Sequence, residues 1–318
     1  MSGKHILALS GGVGGAKLAA GLAAVTSGDD LTIVVNTGDD FEHLGLTICP
    51  DMDSVTYALA GLNDNERGWG VENETWQAMA MLRALGEEGW FNLGDRDLAM
   101  HIARSWRLRA GETLSQVTAR LTRELGIDHA VVPMSDDLVR TQVLTDAGWI
   151  DFQRWFVGNQ CADKVFDVRF EGAQRARPAP EFRAALERDD LAAIVLCPSN
   201  PFLSVDPILS IPGVRDALAE RQVPLIAVSP IIGGSAVKGP LAKMLAERGQ
   251  VVNNLAIARH YQDHWGDLLD CLLIDHADEA DVPVLQARGL TVAVTRTLMR
   301  EAADRERLAK EVLAIAGI

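Results

Sequence analysis

Short apolar runs that stop abruptly in glycine, proline or small polar residues, each followed by a helical pattern, set the architecture of this chain. Residues 5–9 are apolar, end in Ser10-Gly11-Gly12-Val13-Gly14-Gly15, and lead into a helix with Leu18, Leu22 and Val25 at i, i+4 and i+7. The segments 31–35, 191–197, 225–228, 271–274 and 291–294 repeat that unit, and a last helix turns Leu308, Val312 and Ile315 inward. Strands separated by helices form a parallel sheet covered on both faces. The expected fold class is therefore α/β, a Rossmann-like, mostly parallel sheet with helices on both sides.

Residues 65–175 read differently. Segment 71–125 is mostly helical, with Trp76, Met79, Leu82 and Leu85 on one periodic face, and Leu93-Gly94-Asp95-Arg96-Asp97 interrupts it as a solvated connection. After an apolar, strand-like 129–133, segments 139–144 and 149–156 flank Asp146-Ala147-Gly148, the signal of a β-hairpin. The expectation is one domain over 1–318 in which 65–175, helical block then hairpin, is an insert walling or covering the active site.

Composition narrows the function classes. The chain of 318 residues is 48% hydrophobic and 23% charged, ordinary for a soluble globular protein. A net charge of −14 argues against a nucleic-acid partner, which needs clustered Lys and Arg, but leaves room for a small anionic ligand held by backbone N–H groups or a metal. Cys49, Cys161, Cys197 and Cys271 are far apart, the pattern of free thiols in a reducing compartment. No apolar run approaches the ~20 residues of a membrane helix. Residues 1–9 read as a first strand, not a signal peptide. The expected setting is cytoplasmic.

Four carboxylates lie on the loop after the second strand: Asp39 and Asp40 in Asn36-Thr37-Gly38-Asp39-Asp40, then Asp51 and Asp53 in Pro50-Asp51-Met52-Asp53-Ser54. Ligands of open α/β sheets collect beyond the carboxyl ends of the strands. Hard oxygen ligands there suit a divalent cation such as magnesium held against a phosphate. Taken singly, Asp51 or Asp53 also reads as the cap of a helix from Ser54 carrying Val55, Ala58, Leu59 and Leu62, and Asp39-Asp40 as a solvated turn. The turn Gly11, Gly12, Gly14, Gly15 brings backbone N–H groups and a helix dipole to one point, a phosphate site. It meets neither the dinucleotide fingerprint nor the P-loop pattern, because Lys17 stands where the third glycine belongs and Leu18 follows it. Pro198-Ser199-Asn200-Pro201 and Ser229-Pro230-Ile231-Ile232-Gly233-Gly234 deliver small polar groups to the same edge. His260 and His264, four apart, lack the Glu of a zinc helix motif and read as partly exposed helix residues.

Together, Ser10-Gly-Gly-Val-Gly-Gly, Val35-Asn-Thr-Gly-Asp-Asp, Pro50-Asp-Met-Asp-Ser, Trp69-Gly, Leu93-Gly-Asp-Arg-Asp, Pro133-Met-Ser-Asp-Asp, Pro198-Ser-Asn-Pro and Ser229-Pro-Ile-Ile-Gly-Gly, in that order, resemble the 2-phospho-L-lactate transferase (CofD) family of coenzyme F-420 biosynthesis. The resemblance spans nearly the whole chain. It implies a magnesium-dependent transferase that moves a phospho-three-carbon-acid group (2-phospholactate, phosphoenolpyruvate or 3-phosphoglycerate type) from a guanosine diphosphate-linked donor. The acceptor is the terminal ribityl hydroxyl of the deazaflavin FO, GMP is released, and a homodimer is expected. On this resemblance Asp40, Asp51 and Asp53 bind the metal, Asp51, Asp53 and Arg96 are catalytic, and Asp53, Asn92 and Trp69 contact FO, with Trp76 a second candidate for stacking. The nucleotide and its phosphates fall to Gly11, Gly12, Gly14, Gly15, Ser199, Asn200, Gly233 and Gly234. The rival reading is a regulatory protein of a related Rossmann-like group that binds nucleotide sugars. An NAD-dependent oxidoreductase, which rests on the glycine turn alone, ranks last.

Overall fold

The computed structural model describes residues 4–318. Seven strands form the central sheet: β1 (His5–Ser10), β2 (Leu31–Val35), β3 (Ala130–Pro133), β4 (Leu191–Leu196), β5 (Leu225–Val228), β6 (Cys271–Asp275) and β7 (Thr291–Thr295). Each lies within one residue of its expected bounds. All pair in parallel, in the order β7-β6-β5-β4-β1-β2-β3. The chain thus grows outward from β1 through β2 and β3, then returns with β4 on the other side of β1. That reversal is the switch point at which open α/β sheets leave a crevice. Register brings the strand ends level there, with Ser10 opposite Val35 and Leu9 opposite Leu196.

Side-chain alternation along the buried strands divides the interior into two cores. Ile6, Ala8, Ile33 and Val35 pack with Leu18 and Leu22 of α1 (Gly12–Val25), Met52 and Val55 of α2 (Pro50–Leu59), and Leu308 and Val312 of the C-terminal helix Ala302–Ile315. Leu7, Leu9, Val34 and Ile194 pack on the other face with Phe182, Ile257 and Tyr261.

The 65–175 block is less separate than its sequence suggests, because β3 lies within it and pairs with β2. Before β3, helices α3 (Gln77–Ala84) and α4 (Asp95–Arg109) join the hairpin Phe41–His43 and Leu46–Ile48 around a small core of Phe41, Ile48, Met79 and Leu93. Helix α5 (Leu114–Glu124) leads to β3, its start fixed by a capping box between Thr113 and Gln116. After β3, Arg140–Thr145 pairs with Gly148–Asp151 as expected and with Asp167–Glu171 on its other edge. The second hairpin strand ends at Asp151 instead of running to 156. Phe152 and Trp155, three apart, are both buried, which requires helical spacing, and Trp155 belongs to the main core.

Three further expectations are corrected. Leu85 is 69% exposed and Ile315 39% exposed, because each sits at a helix C-terminus beyond the packed turns. Leu93 to Asp97 is no solvated connection: Leu93 is fully buried and Asp95–Asp97 form the first turn of α4. There the two helices exchange caps. Asp95 accepts the N–H groups of Gln77 and Ala78 at the start of α3, while Glu74 accepts those of Arg96 and Asp97 at the start of α4.

Candidate active site

The acidic loop leaves β2 at the switch point. Helix α2 begins at Pro50 rather than Ser54, since proline is pre-set for the first helical position, and Asp51 and Asp53 occupy its first turn, where the helix dipole favours carboxylates. Asn36 Nδ2 donates to Asp51 Oδ2 (2.9 Å) and to Leu203 O (3.1 Å), and Ser204 Oγ approaches the same carboxylate at 3.5 Å. The Gly12 N–H also donates to Asp51. Ser199 Oγ accepts the Gly11 N–H (3.2 Å) and donates to Gly11 O (2.8 Å). Turns from β1, β2 and β4 therefore meet at one carboxylate. The approach demands glycine: a Cβ on Gly14 would lie 2.4 Å from Pro198 O, and one on Gly11 2.6 Å from Asp51 Oδ2.

Burial dominates the charges here. It pushes the Asp40 carboxyl up to about 7, with Arg140 opposing, and the Asp51 carboxyl up to about 6 despite the donors from Asn36, Gly12 and Ser204. Asp39 is held well above the usual carboxylate range by burial and by neighbouring Asp51. Asp39 Oδ1, Asp40 Oδ1, Thr37 Oγ1 and Thr141 Oγ1 are buried with no hydrogen-bond partner. Asp39 and Asp40 border a small hollow with Arg140, Thr141 and Gln153. Unpaired hard oxygens of this kind fit a divalent cation.

Asp53 is differently placed. Both its oxygens are taken by Arg104 of α4, Nη2 on Oδ1 and Nη1 on Oδ2 (3.2 Å). Burial disfavours the Arg104 charge, but Asp53 and Cys49 outweigh it and raise the guanidinium's proton affinity. Arg104 Nη1 lies 3.1 Å from His101 Nδ1, His101 Nε2 lies 3.3 Å from Asp97 Oδ1, and Tyr57 donates to Asp97 (2.6 Å). Among the described residues, Asp53, Asp97 and His101 are the one set of three potential metal ligands within 4.8 Å of one another. A guanidinium already fills that set. The expected trio Asp40, Asp51 and Asp53 is not such a set: Asp53 is a neighbouring charge that raises the Asp40 carboxyl, but its oxygens are taken by Arg104.

A second, open cleft lies beside α1 and α2, lined by Val13, Lys17, Ser54, Tyr57, Trp69 and Lys238 among others. Trp69 is 46% exposed and meets Trp76 edge-on, with Arg67 over both rings at 5.4 and 5.1 Å.

The family model described as 2-phospho-L-lactate transferase CofD matches residues 6–312. The chain belongs to the CofD family. It is similar to the phosphoenolpyruvate transferase of Kitasatospora aureofaciens, 40% identical over 98% of each chain, and to the 2-phospho-L-lactate transferase of Methanosarcina acetivorans, 37% identical over 98% of each. Among solved structures it is similar to a UPF0052 family protein from Bacillus halodurans, with a TM-score of 0.64 at 17% identity, covering 98% of this chain and 99% of that one; this likeness concerns the fold.

Several residues expected from the CofD resemblance lie outside the cluster. Asn92 Oδ1 accepts from Arg83 (2.6 Å), and exposed Arg96 donates to Glu72 O (2.6 Å); neither lines the hollow or the cleft described above. Asn200 caps its own turn by accepting the Phe202 N–H. The N–H groups of Gly233 and Gly234 both donate to Asp278 (2.8 and 3.0 Å). Pro133-Met-Ser-Asp-Asp is scaffolding: Asp136 accepts from Ser115 N and Oγ, and Asp137 accepts from Arg177 N. His260 is buried, not partly exposed, with Nε2 2.8 Å from Asp206 Oδ2; His264 is exposed. Sequence reasoning missed Arg104, His101, Arg140 and Lys238. A signal existed for two of these: Asp97, His101 and Arg104 at i, i+4 and i+7 form a buried polar face, while Ile102 and Trp106 point outward at 51% and 64% exposure.

Proposed function

We propose that this CofD protein transfers a phospho-three-carbon-acid group (2-phospholactate, phosphoenolpyruvate or 3-phosphoglycerate type) from a guanosine diphosphate-linked donor to the terminal ribityl hydroxyl of FO, releasing GMP in coenzyme F-420 biosynthesis. The observation that carries this reading is the buried carboxylate cluster joining the turns after β1, β2 and β4. The names of the relatives, phosphoenolpyruvate and 2-phospho-L-lactate transferase, support the same chemistry.

In this reaction the hydroxyl oxygen bonds to the phosphorus bearing the acid, and the P–O bond to GMP breaks with its electrons leaving on GMP. The hydroxyl proton passes to a carboxylate of this cluster. Such transfers depend on positioning and charge neutralisation rather than covalent catalysis. Asp40 and Asp51 would hold magnesium, which when bound neutralises charge on the diphosphate. Asn36 and Ser204 fix the Asp51 carboxylate, and the Arg104 pair makes Asp53 a support of that arrangement. Trp69 offers an exposed ring face for the deazaflavin.

The test is a mass-spectrometric assay with FO, magnesium, GTP, a guanylyltransferase and each candidate phospho-acid in turn. A FO-derived product with GMP release establishes the transferase and names its acid. No product from any donor, together with no FO binding, overturns the reading in favour of a nucleotide-binding regulatory protein.

A further inference from the structure

The glycine turns that sequence motifs mark as phosphate sites already spend key donors on the protein itself. Gly11 N–H goes to Ser199, Gly12 N–H to Asp51, and the Gly233 and Gly234 N–H groups to Asp278. A substrate diphosphate finds fewer backbone donors at these turns and gains from other cationic groups.

Lysine is scarce in this acidic chain, occurring at Lys4, Lys17, Lys164, Lys238, Lys243 and Lys310, yet Lys17 and Lys238 line the same cleft. The lysine ion pairs among the described residues belong to Lys243 and Lys310, so neither cleft lysine is neutralised by a carboxylate. Lys17 is half-buried on α1 and spends one donor on Met299 O (2.8 Å), leaving two. Lys238 reaches across from the loop after Ser235–Ala236, its Nζ so close to Gly68 that a Cβ there would lie 1.7 Å away. Asp64, the acidic residue lining the cleft, is paired with Arg67 at 2.9 Å. Arg305 stands behind, donating to Asn65 Oδ1 (2.9 Å), with its Nε buried and unpaired. Burial, with Arg305 and Lys238 as neighbouring cations, depresses the Lys17 ammonium. Val13, in the first turn of α1, lines the same cleft, so the positive end of that helix dipole adds to the field.

We propose that Lys17 and Lys238 form the anion subsite of this cleft and bind the phosphates of the nucleotide-linked donor. The assignment of a nucleotide rests on the transferase reading; the two cations facing one cleft do not. Trp69, which lines the same cleft, leaves an exposed ring face for a planar group beside that subsite.

Binding of GDP, measured by calorimetry at low and high salt with guanosine as the phosphate-free control, tests the subsite. Lys17→Met and Lys238→Met are each expected to weaken GDP by at least about tenfold, the scale of one charge-assisted contact. Each should also flatten the salt dependence and leave guanosine unchanged. Lys17→Arg, which keeps the charge, should restore most of the affinity, and exposed Lys238 gives a variant whose folding is not in question. Unchanged GDP affinity in both Met variants overturns the proposal, as does an equal loss for guanosine. The FO transfer assay on the same preparations separates the two readings. Transfer with an unchanged donor KM in both variants removes the subsite and keeps the transferase; lysine-dependent GDP binding without any transfer does the reverse.

Discussion

Asp40 binds its proton more tightly folded than unfolded, since burial raises its carboxyl from 3.8 to about 7. Between those values the native state holds more protons than the unfolded chain, so stability falls as pH rises. The contribution is complete below about pH 4 and lost on approaching pH 7, at roughly 1.4 kcal/mol per unit. Asp40→Asn removes the titrating group while keeping its shape. In metal-free protein, urea unfolding should find the variant gaining on the wild type steadily from about pH 4 to pH 7, with magnesium then stabilising the wild type alone. A difference that stays flat with pH would contradict the burial argument. The Asp53–Arg104 pair makes the opposite point. Arg104→Met strands a buried carboxylate and should cost about 3–5 kcal/mol, whereas adding Asp53→Asn to it should recover much of the loss. Denaturant curves of both variants decide between a coupled pair and two independent side chains.

At the scale of elements, α3 and α4 depend on each other's first turns. Glu74→Ala uncaps α4 and should cost about 1 kcal/mol, with faster amide exchange at Arg96 and Asp97 before any change elsewhere. Exchange that accelerates uniformly would show that the cap does nothing local. The same region shows why the sequence was readable in some places and opaque in others. Strands β1 to β5 were legible because each apolar run stops at its own Gly, Pro or Asn, and β6 and β7 because short apolar runs give way there to polar residues. The acidic loop and the glycine turn were legible because their residues are neighbours. Arg104 lies 51 residues from Asp53, and Asp206 lies 54 from His260. No local pattern announces such partners, so a buried, hydrogen-bonded histidine reads like a surface one. Helix α4 is the intermediate case. Its polar residues keep core spacing, but a polar face at core spacing looks solvated unless its partners are known. Asn92 and Arg96, which stand in or beside a motif of the family, bond to Arg83 and to Glu72 O, while Asp95 of that motif caps α3 and Asp97 turns inward to Tyr57 and His101.

For the molecule as a whole, the site exists because the chain reverses direction at β1 and the turns of β1 and β4 are pressed together. Gly14→Ala attacks that juncture, placing a Cβ 2.4 Å from Pro198 O, a backbone atom that no rotamer change can move. The resulting shift should cost about 1–3 kcal/mol, the range for overpacking. Its location should also move the first turn of α1 away from Asp51 and Ser199. Gly21→Ala provides the matched comparison, because its Cβ would lie 2.3 Å from Arg305 O, an equally rigid contact farther along α1. Both variants should lose comparable stability in urea. Gly14→Ala alone should also lose magnesium-induced stabilisation and GDP affinity, since it alone separates the carboxylate cluster from the glycine turn. If Gly21→Ala loses both to the same degree, helix α1 transmits strain along its whole length and the juncture of β1 and β4 has no special hold on the site.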